Sequence, residues 1–268
     1  MKRLLVLLHV ALLLTMTEVA LAEVSERVVD LPTRSGVTQR LLFLAPEAPK
    51  AAVILFAGGD GELQISPDGG LKQRQNNFLV RNRQTFAGKG LLVALIDAPS
   101  DRQRPPFLTG FRETREHVAD VKAVIAWLKE QANVPVWLVG TSMGTLSAAF
   151  VATHLGASDG GPDGLVLTST VLVRPRVSPG IRPVPHMPLE RLKIPVLVAH
   201  HEQDGCGVCA YSDIPRLMEK LGAVPRNGLL SFRGGQNMGD PCESRAYHGF
   251  NGLDKDVVGK IAEWIVAK

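Results

Sequence analysis

Two kinds of hydrophobic pattern alternate along the chain. Residues 51–57, 90–96, 136–139 and 194–200 are short, nearly unbroken apolar runs, as expected of strands covered on both faces of a parallel sheet. Between them lie helical patterns. The strongest is 113–132, with Val118, Val121, Ile125 and Leu128 on one stripe and Glu113 and Glu116 near the positive N-terminal end. Residues 78–86, 146–152, 215–221 and 257–266 read as further helices, with Gly222 as a stop. Residues 164–173 and 229–232 read as strands. Residues 27–31 and 38–44, parted by Ser35-Gly36, read as an edge hairpin. The alternation predicts an α/β fold: a mostly parallel central sheet with helices on both faces. Residues 62–77, 100–112 and 174–191 are polar or Arg- and Pro-rich and read as loops, the last too irregular for a helical lid.

The N-terminus adds a separate element. Lys2-Arg3 precedes an apolar run over 4–14 broken only by His9, and Ala20-Leu21-Ala22 follows as a cleavage site. That is the layout of a secretory signal peptide. The run is about 11 residues, short of the roughly 20 that span a bilayer. Residues 1–22 are therefore expected to be removed. The mature chain, 23–268, is then a single exported domain, periplasmic or secreted, without a stable membrane span. A retained N-terminal anchor is the competing reading.

Charge changes little. The chain has 30 Lys+Arg against 26 Asp+Glu. Without residues 1–22 (Lys2, Arg3, Glu18) these become 28 and 25, a formal +3. That bias is too weak for a nucleic-acid partner, and no basic helix or aromatic-interleaved patch supports one.

The chemistry concentrates where the run 136–139 enters Gly140-Thr141-Ser142-Met143-Gly144 and a small-residue helix leaves it. G-x-S-x-G between a strand and a helix predicts a sharp turn that holds the Ser142 hydroxyl clear of the sheet. A serine hydroxyl needs a base, and the base needs a group fixing its tautomer. In an open parallel sheet such groups gather at the carboxyl ends of the strands. Asp204 lies just past the strand at 194–200, with Glu202 as the competing acid. His248 lies between the last strand and the last helix. His117 and His154 fall on helices, His186 in the Pro-rich loop, and His200 and His201 at the end of a strand. The run 51–57 enters Gly58-Gly59-Asp60-Gly61, a turn suited to close approach of a ligand.

At these residues the sequence resembles the α/β-hydrolase family. The order serine, acid, histidine and the elbow Gly140-Thr141-Ser142-Met143-Gly144 match it. His200-His201-Glu202-Gln203-Asp204 looks like the family's H-G-x-x-D loop, and His248-Gly249-Phe250 like its H-G-F. The resemblance covers nearly all of 37–267 and is nearest to small dienelactone-hydrolase-like enzymes with little or no cap domain. The chain departs from the pattern in lacking the histidine of H-G-G-G before Gly58 and in carrying His201 where glycine is usual. The resemblance implies acyl transfer to Ser142, with His248 as base and Asp204 orienting it. The Met143 N–H and an N–H from 58–61, Gly59 or Asp60, would hold the oxyanion, with Gly59 preferred. The substrate would be a small-molecule or lipid-like ester. Peptidase, amidase, thioesterase and acyltransferase chemistry use the same groups, and a non-catalytic binding protein on the same scaffold is the other class.

Three cysteines in an exported chain imply one disulfide and one spare thiol. Cys206 lies two residues after Asp204 and Cys242 six before His248, so a Cys206–Cys242 bridge would join the acid and base loops. Cys209–Cys242 is the runner-up. Cys206-Gly-Val-Cys209 also matches the C-x-x-C of redox proteins, but it follows a late strand. Paired zinc-ligand spacing is missing, so no metal or other cofactor is expected. Arg74, Arg174, Arg176 and Arg182 would suit an anionic substrate, although solvated surface arginines are the plainer reading.

Overall fold

The computed structural model describes residues 24–174 and 180–267. The expected signal peptide, residues 1–22, and part of the Pro-rich stretch, 175–179, lie outside the described residues. Among those described, no helix is long and apolar enough to cross a membrane.

The apolar runs become the strands of one eight-stranded sheet: β1 Glu26–Arg34, β2 Val37–Leu44, β3 Ala51–Phe56, β4 Leu91–Ile96, β5 Val136–Thr141, β6 Gly164–Thr168, β7 Val196–His201 and β8 Asn227–Phe232. Their order is β1-β2-β4-β3-β5-β6-β7-β8. β1 and β2 form an antiparallel pair at one edge, β2 runs antiparallel to β4, and the remaining pairings are parallel. Both faces of the central strands are dry because their side chains alternate between two cores. Ala52, Ile54 and Phe56 join the core under helices α3 (Arg115–Gln131), α4 (Gly144–His154) and α5 (Ile214–Lys220). Ala51, Val53 and Leu55 join the core under α1 (Phe78–Arg81), α2 (Arg83–Gly88) and α6 (Asp254–Val266). At about 25 cal/mol per Å² of apolar surface removed from water, these two layers supply the main drive for folding.

Three elements differ from the sequence expectation. The helix expected at 78–86 is two short helices, α1 and α2. Asn82 between them has φ −98° and ψ 5°, and its side chain donates to Phe78 O (2.9 Å) and to Asp254 Oδ1 (2.5 Å). Hydrogen bonds of this kind compete with the helical ladder. The strand expected over 164–173 ends at Thr168. Ser169 turns to φ +44°, and its Oγ donates to His248 O at 2.6 Å. The long helix starts at Arg115, because Thr114 is its cap and accepts from His117 N at 3.2 Å. Glu113 therefore stands outside it.

The strand order reverses around β3, whose neighbours β4 and β5 follow it on opposite sides. A crevice opens at such a switch point beyond the carboxyl ends of the strands. The loops after β3, β5, β7 and β8 carry Gly58–Gly59, Ser142, Asp204 and His248, so the fold brings them to one edge.

Candidate active site

Ser142 sits between β5 and α4 with φ +50°, in the left-handed region that a side-chain-bearing residue rarely adopts. The surrounding backbone leaves no alternative to glycine on either side. A Cβ on Gly140 would lie 2.6 Å from Gly144 O, and one on Gly144 would lie 2.1 Å from Phe56 O. Strain of this kind costs about 1–3 kcal/mol and persists only where neighbours over-determine it. Here Ser142 N donates to Thr168 O (3.1 Å) and Ser142 O accepts from Thr145 Oγ1 (2.6 Å).

Asp204 is buried just past β7 and receives donors from three directions. His248 Nδ1 lies 2.9 Å and His200 Nε2 3.3 Å from Oδ2, while Cys206 N donates to Oδ1 at 2.9 Å. Burial alone would raise its pKa. The hydrogen bonds from His200 and His248 outweigh burial and hold the carboxyl down at about 2. An ionised carboxylate only accepts, so Nδ1 of His248 carries the proton and Nε2 keeps its lone pair. That Nε2 is buried and has no hydrogen-bond partner. Glu202, the competing acid, instead pairs with Arg233 at the surface.

The segment bearing His248 is pinned by contacts remote in sequence. Its own carbonyl accepts from Ser169 Oγ, and the Gly249 carbonyl accepts from Arg81 Nη2 at 2.6 Å. Arg81 also pairs with Asp254 at the start of α6 (2.7 Å). Phe250, at φ +54°, buries its ring against Phe78 and Phe232.

The loop after β3 passes directly over the elbow. A Cβ on Gly58 would lie 3.1 Å from Ser142 Cβ. Gly59 has φ +59°, with the Arg74 guanidinium packed where its side chain would go. From beneath, the buried Arg112 donates to Ala57 O (3.2 Å), Gly59 O (2.9 Å) and Ser147 Oγ (2.8 Å). Burial pulls its pKa down to about 10, which leaves it charged at neutral pH. Ser142, Met143, Gly59 and His248 line one cleft of about 540 Å³, walled by residues 73–78 on one side and 242–244 on the other. A second cleft lies on the far side of Met143, against Leu146, Leu108 and Ile181.

Cys206 and Cys242 are joined by a disulfide that ties the Asp204 loop to the loop preceding His248. Cys209 is a free, buried thiol. Its pKa stands well above the ordinary value through burial and then the negative Asp204, which the Ser142 hydroxyl beside the sulfur only partly offsets. The other histidines are occupied elsewhere. His117 lies under Phe56 and Phe111, with its pKa pushed down to about 3 by burial and then by Arg112. His154 stacks on Phe150, His201 stacks on Tyr247, and His186 lies beside Arg216.

The architecture has counterparts of known structure. An esterase from Pyrococcus furiosus superposes with a TM-score of 0.63 at 14% identity, covering 90% of each chain. The fold is that of an α/β-hydrolase. An α/β serine hydrolase without a lid from Xanthomonas campestris matches this α/β-hydrolase fold at TM-score 0.55 and 17% identity, over 92% of this chain and 97% of its own. A dienelactone hydrolase from Anabaena variabilis does so at TM-score 0.54 and 15% identity, over 91% and 96%. No family model matches the sequence, and no curated protein does. The fold is thus of the dienelactone-hydrolase-like type.

Sequence reasoning missed three residues around the site. His200 is read as the last residue of a strand, yet its Nε2 reaches both Asp204 and Cys209 O (2.7 Å). The doubled His200-His201 after a buried strand was the available signal. Arg112, in a stretch read only as an Arg- and Pro-rich loop, carries no local mark of burial. Cys209 is read from the sequence as a bridge partner, a redox cysteine or one of three cysteines that could hold zinc, and not as a thiol beside Ser142.

Proposed function

We propose that the chain is a serine hydrolase that cleaves a carboxylic ester, or a related acyl bond, through an acyl-enzyme on Ser142. The observation that carries this reading is the 2.9 Å contact between His248 Nδ1 and Asp204 Oδ2. It leaves Nε2 of the same ring unpaired at a cleft shared with a serine on a left-handed turn. His248 takes the serine proton as Ser142 Oγ attacks the acyl carbon, then returns it to the leaving alcohol. Asp204 stays ionised and stabilises the imidazolium. Water repeats the sequence on the acyl-enzyme. The oxyanion is held by the Met143 N–H, next to the start of α4, and by the Gly59 N–H. Removing one such donor costs about 10²–10³ in turnover. Arg112 supports the second donor by holding the Gly59 carbonyl from the opposite side.

The cleft of about 540 Å³ shared by Ser142 and His248 suits a small-molecule or lipid-like acyl compound. Export fits the N-terminal segment and a disulfide that needs an oxidising compartment. The test is hydrolysis of short p-nitrophenyl esters together with fluorophosphonate labelling. Ser142→Ala should abolish both, and full residual hydrolysis in that variant would end the reading.

A further inference from the structure

The loop after β7 and the segment between β8 and α6 bring two sulfurs and an imidazole to one point beside Ser142. The Cys206 sulfur, the Cys209 sulfur and one ring nitrogen of His248 all lie within 4.8 Å of one another, and all three residues are buried. Nδ1 of His248 is taken by Asp204, so the available nitrogen is Nε2, which is buried with no hydrogen-bond partner. A tetrahedral zinc with Zn–S near 2.3 Å and Zn–N near 2.0–2.1 Å needs its donors about 3.4–3.8 Å apart. Two sulfurs and a ring nitrogen that lie within 4.8 Å of one another have up to about 1.4 Å to close. The Asp204–His248 pair adds the outer partner that such sites use, a carboxylate on the far nitrogen that fixes the ring and raises its basicity. One obstacle stands in the way: Cys206 is committed to Cys242. That bond is approachable, because Cys242 is exposed and the loop 233–241 preceding it is exposed throughout.

We propose that opening the Cys206–Cys242 disulfide converts the acid–base pocket into a site for a zinc-like divalent cation, held by Cys206, Cys209 and His248, and that the bound ion silences Ser142. A dithiol or phosphine supplies the two electrons. With a phosphine, the S–S bond breaks, water gives its oxygen to phosphorus, and both sulfurs leave as thiols. The cation then displaces the protons of Cys206 and Cys209 to solvent and takes the Nε2 lone pair of His248. Cys242 or water fills the fourth position. The silencing part rests on the serine-hydrolase reading, because it works by removing the base. The binding part does not. In the oxidised protein the site is one sulfur short and the enzyme is indifferent to zinc. The same pocket thus reports both the redox poise and the metal content of its surroundings.

The test uses Co²⁺ as a spectroscopic probe and fluorophosphonate labelling of Ser142 as a second readout. Protein is reduced with a phosphine, desalted without oxygen and titrated with Co²⁺, and Zn²⁺ is then added. The reduced protein should take up one cobalt with thiolate-to-metal absorption, and zinc should bleach it. Zinc should slow labelling by about 10²-fold, the share of a general base, and a chelator should restore it. The oxidised protein should show none of these effects. Cys242→Ser should bind cobalt without reductant, and reduced Cys209→Ser should lose the band. Circular dichroism covers loss of fold: a reduced chain that unfolds and regains structure with zinc supports the site. A reduced chain that stays unfolded, binds no cobalt, or binds it equally well as Cys209→Ser overturns the proposal. Should Ser142 never label in any state, the hydrolase reading fails while the cobalt band still decides the metal site.

Discussion

Asp204→Asn removes one charge at the point where four segments meet, and its cost can be worked from the structure. The Asp204 carboxyl stands at about 2 in the folded protein, against an ordinary value of 3.8. At 1.36 kcal/mol per pH unit, that difference is worth about 2–3 kcal/mol of stability. Because the folded value is the lower one, this contribution is complete above about pH 4 and is lost as pH falls through about 2. Asparagine cannot supply it. It also turns an amide N–H toward a site where His200, His248 and the Cys206 N–H all donate. The assay is urea unfolding of wild type and variant at a series of pH values. The wild type should be more stable by about 2–3 kcal/mol near pH 7, and the gap should close between pH 4 and 2. Ester turnover at pH 7 should fall by about 10⁴, the loss expected when the imidazole is no longer held in the right tautomer. A stability gap of the same size at pH 2.5 and pH 7 would refute the charge argument. Unchanged turnover would refute the role given to Asp204.

Other substitutions probe other supports. Arg112→Met should reduce ester turnover by roughly 10-fold or more with little change in KM. It frees the Gly59 carbonyl and leaves buried acceptors unpaired, at about 1–3 kcal/mol each by urea unfolding. Gly144→Ala should fail to give soluble protein or lose about 3 kcal/mol or more, since its Cβ meets the Phe56 carbonyl at 2.1 Å. Arg81→Met should lower kcat more than it raises KM, because Arg81 bonds the Gly249 carbonyl next to His248. Unaltered kcat in that variant would show that Ser169 and Phe250 hold the segment without it.

The layered sheet was legible because its strands are covered on both faces, and an unbroken run such as 51–57 has few other uses in a chain with alternating helices. Element ends were less legible. Asn82 and Ser169 each break a local pattern to make a hydrogen bond with a residue about 80 or more positions away. No local propensity encodes such a bond. The choice of Asp204 and His248 rested on chain order and on placement after strands, and the structure brings the two to 2.9 Å. The supporting residues were opaque for a general reason. Arg112 and Cys209 owe their significance to burial and to partners distant in sequence, and His200 to a following loop that folds back onto it, while their own neighbourhoods read as ordinary loop or strand end.

The helix leaving the elbow has no wet side: every residue from Gly144 to Thr153 is buried. An amphipathic helix can absorb an enlarged side chain by shifting toward solvent, but α4 has nowhere to move except against β5, whose last residue adjoins the serine. A random search for variants with impaired turnover should therefore return inner positions of this helix as often as residues bordering the cleft. For this chain, crowding in the interior and damage to the chemistry would be hard to tell apart by activity alone.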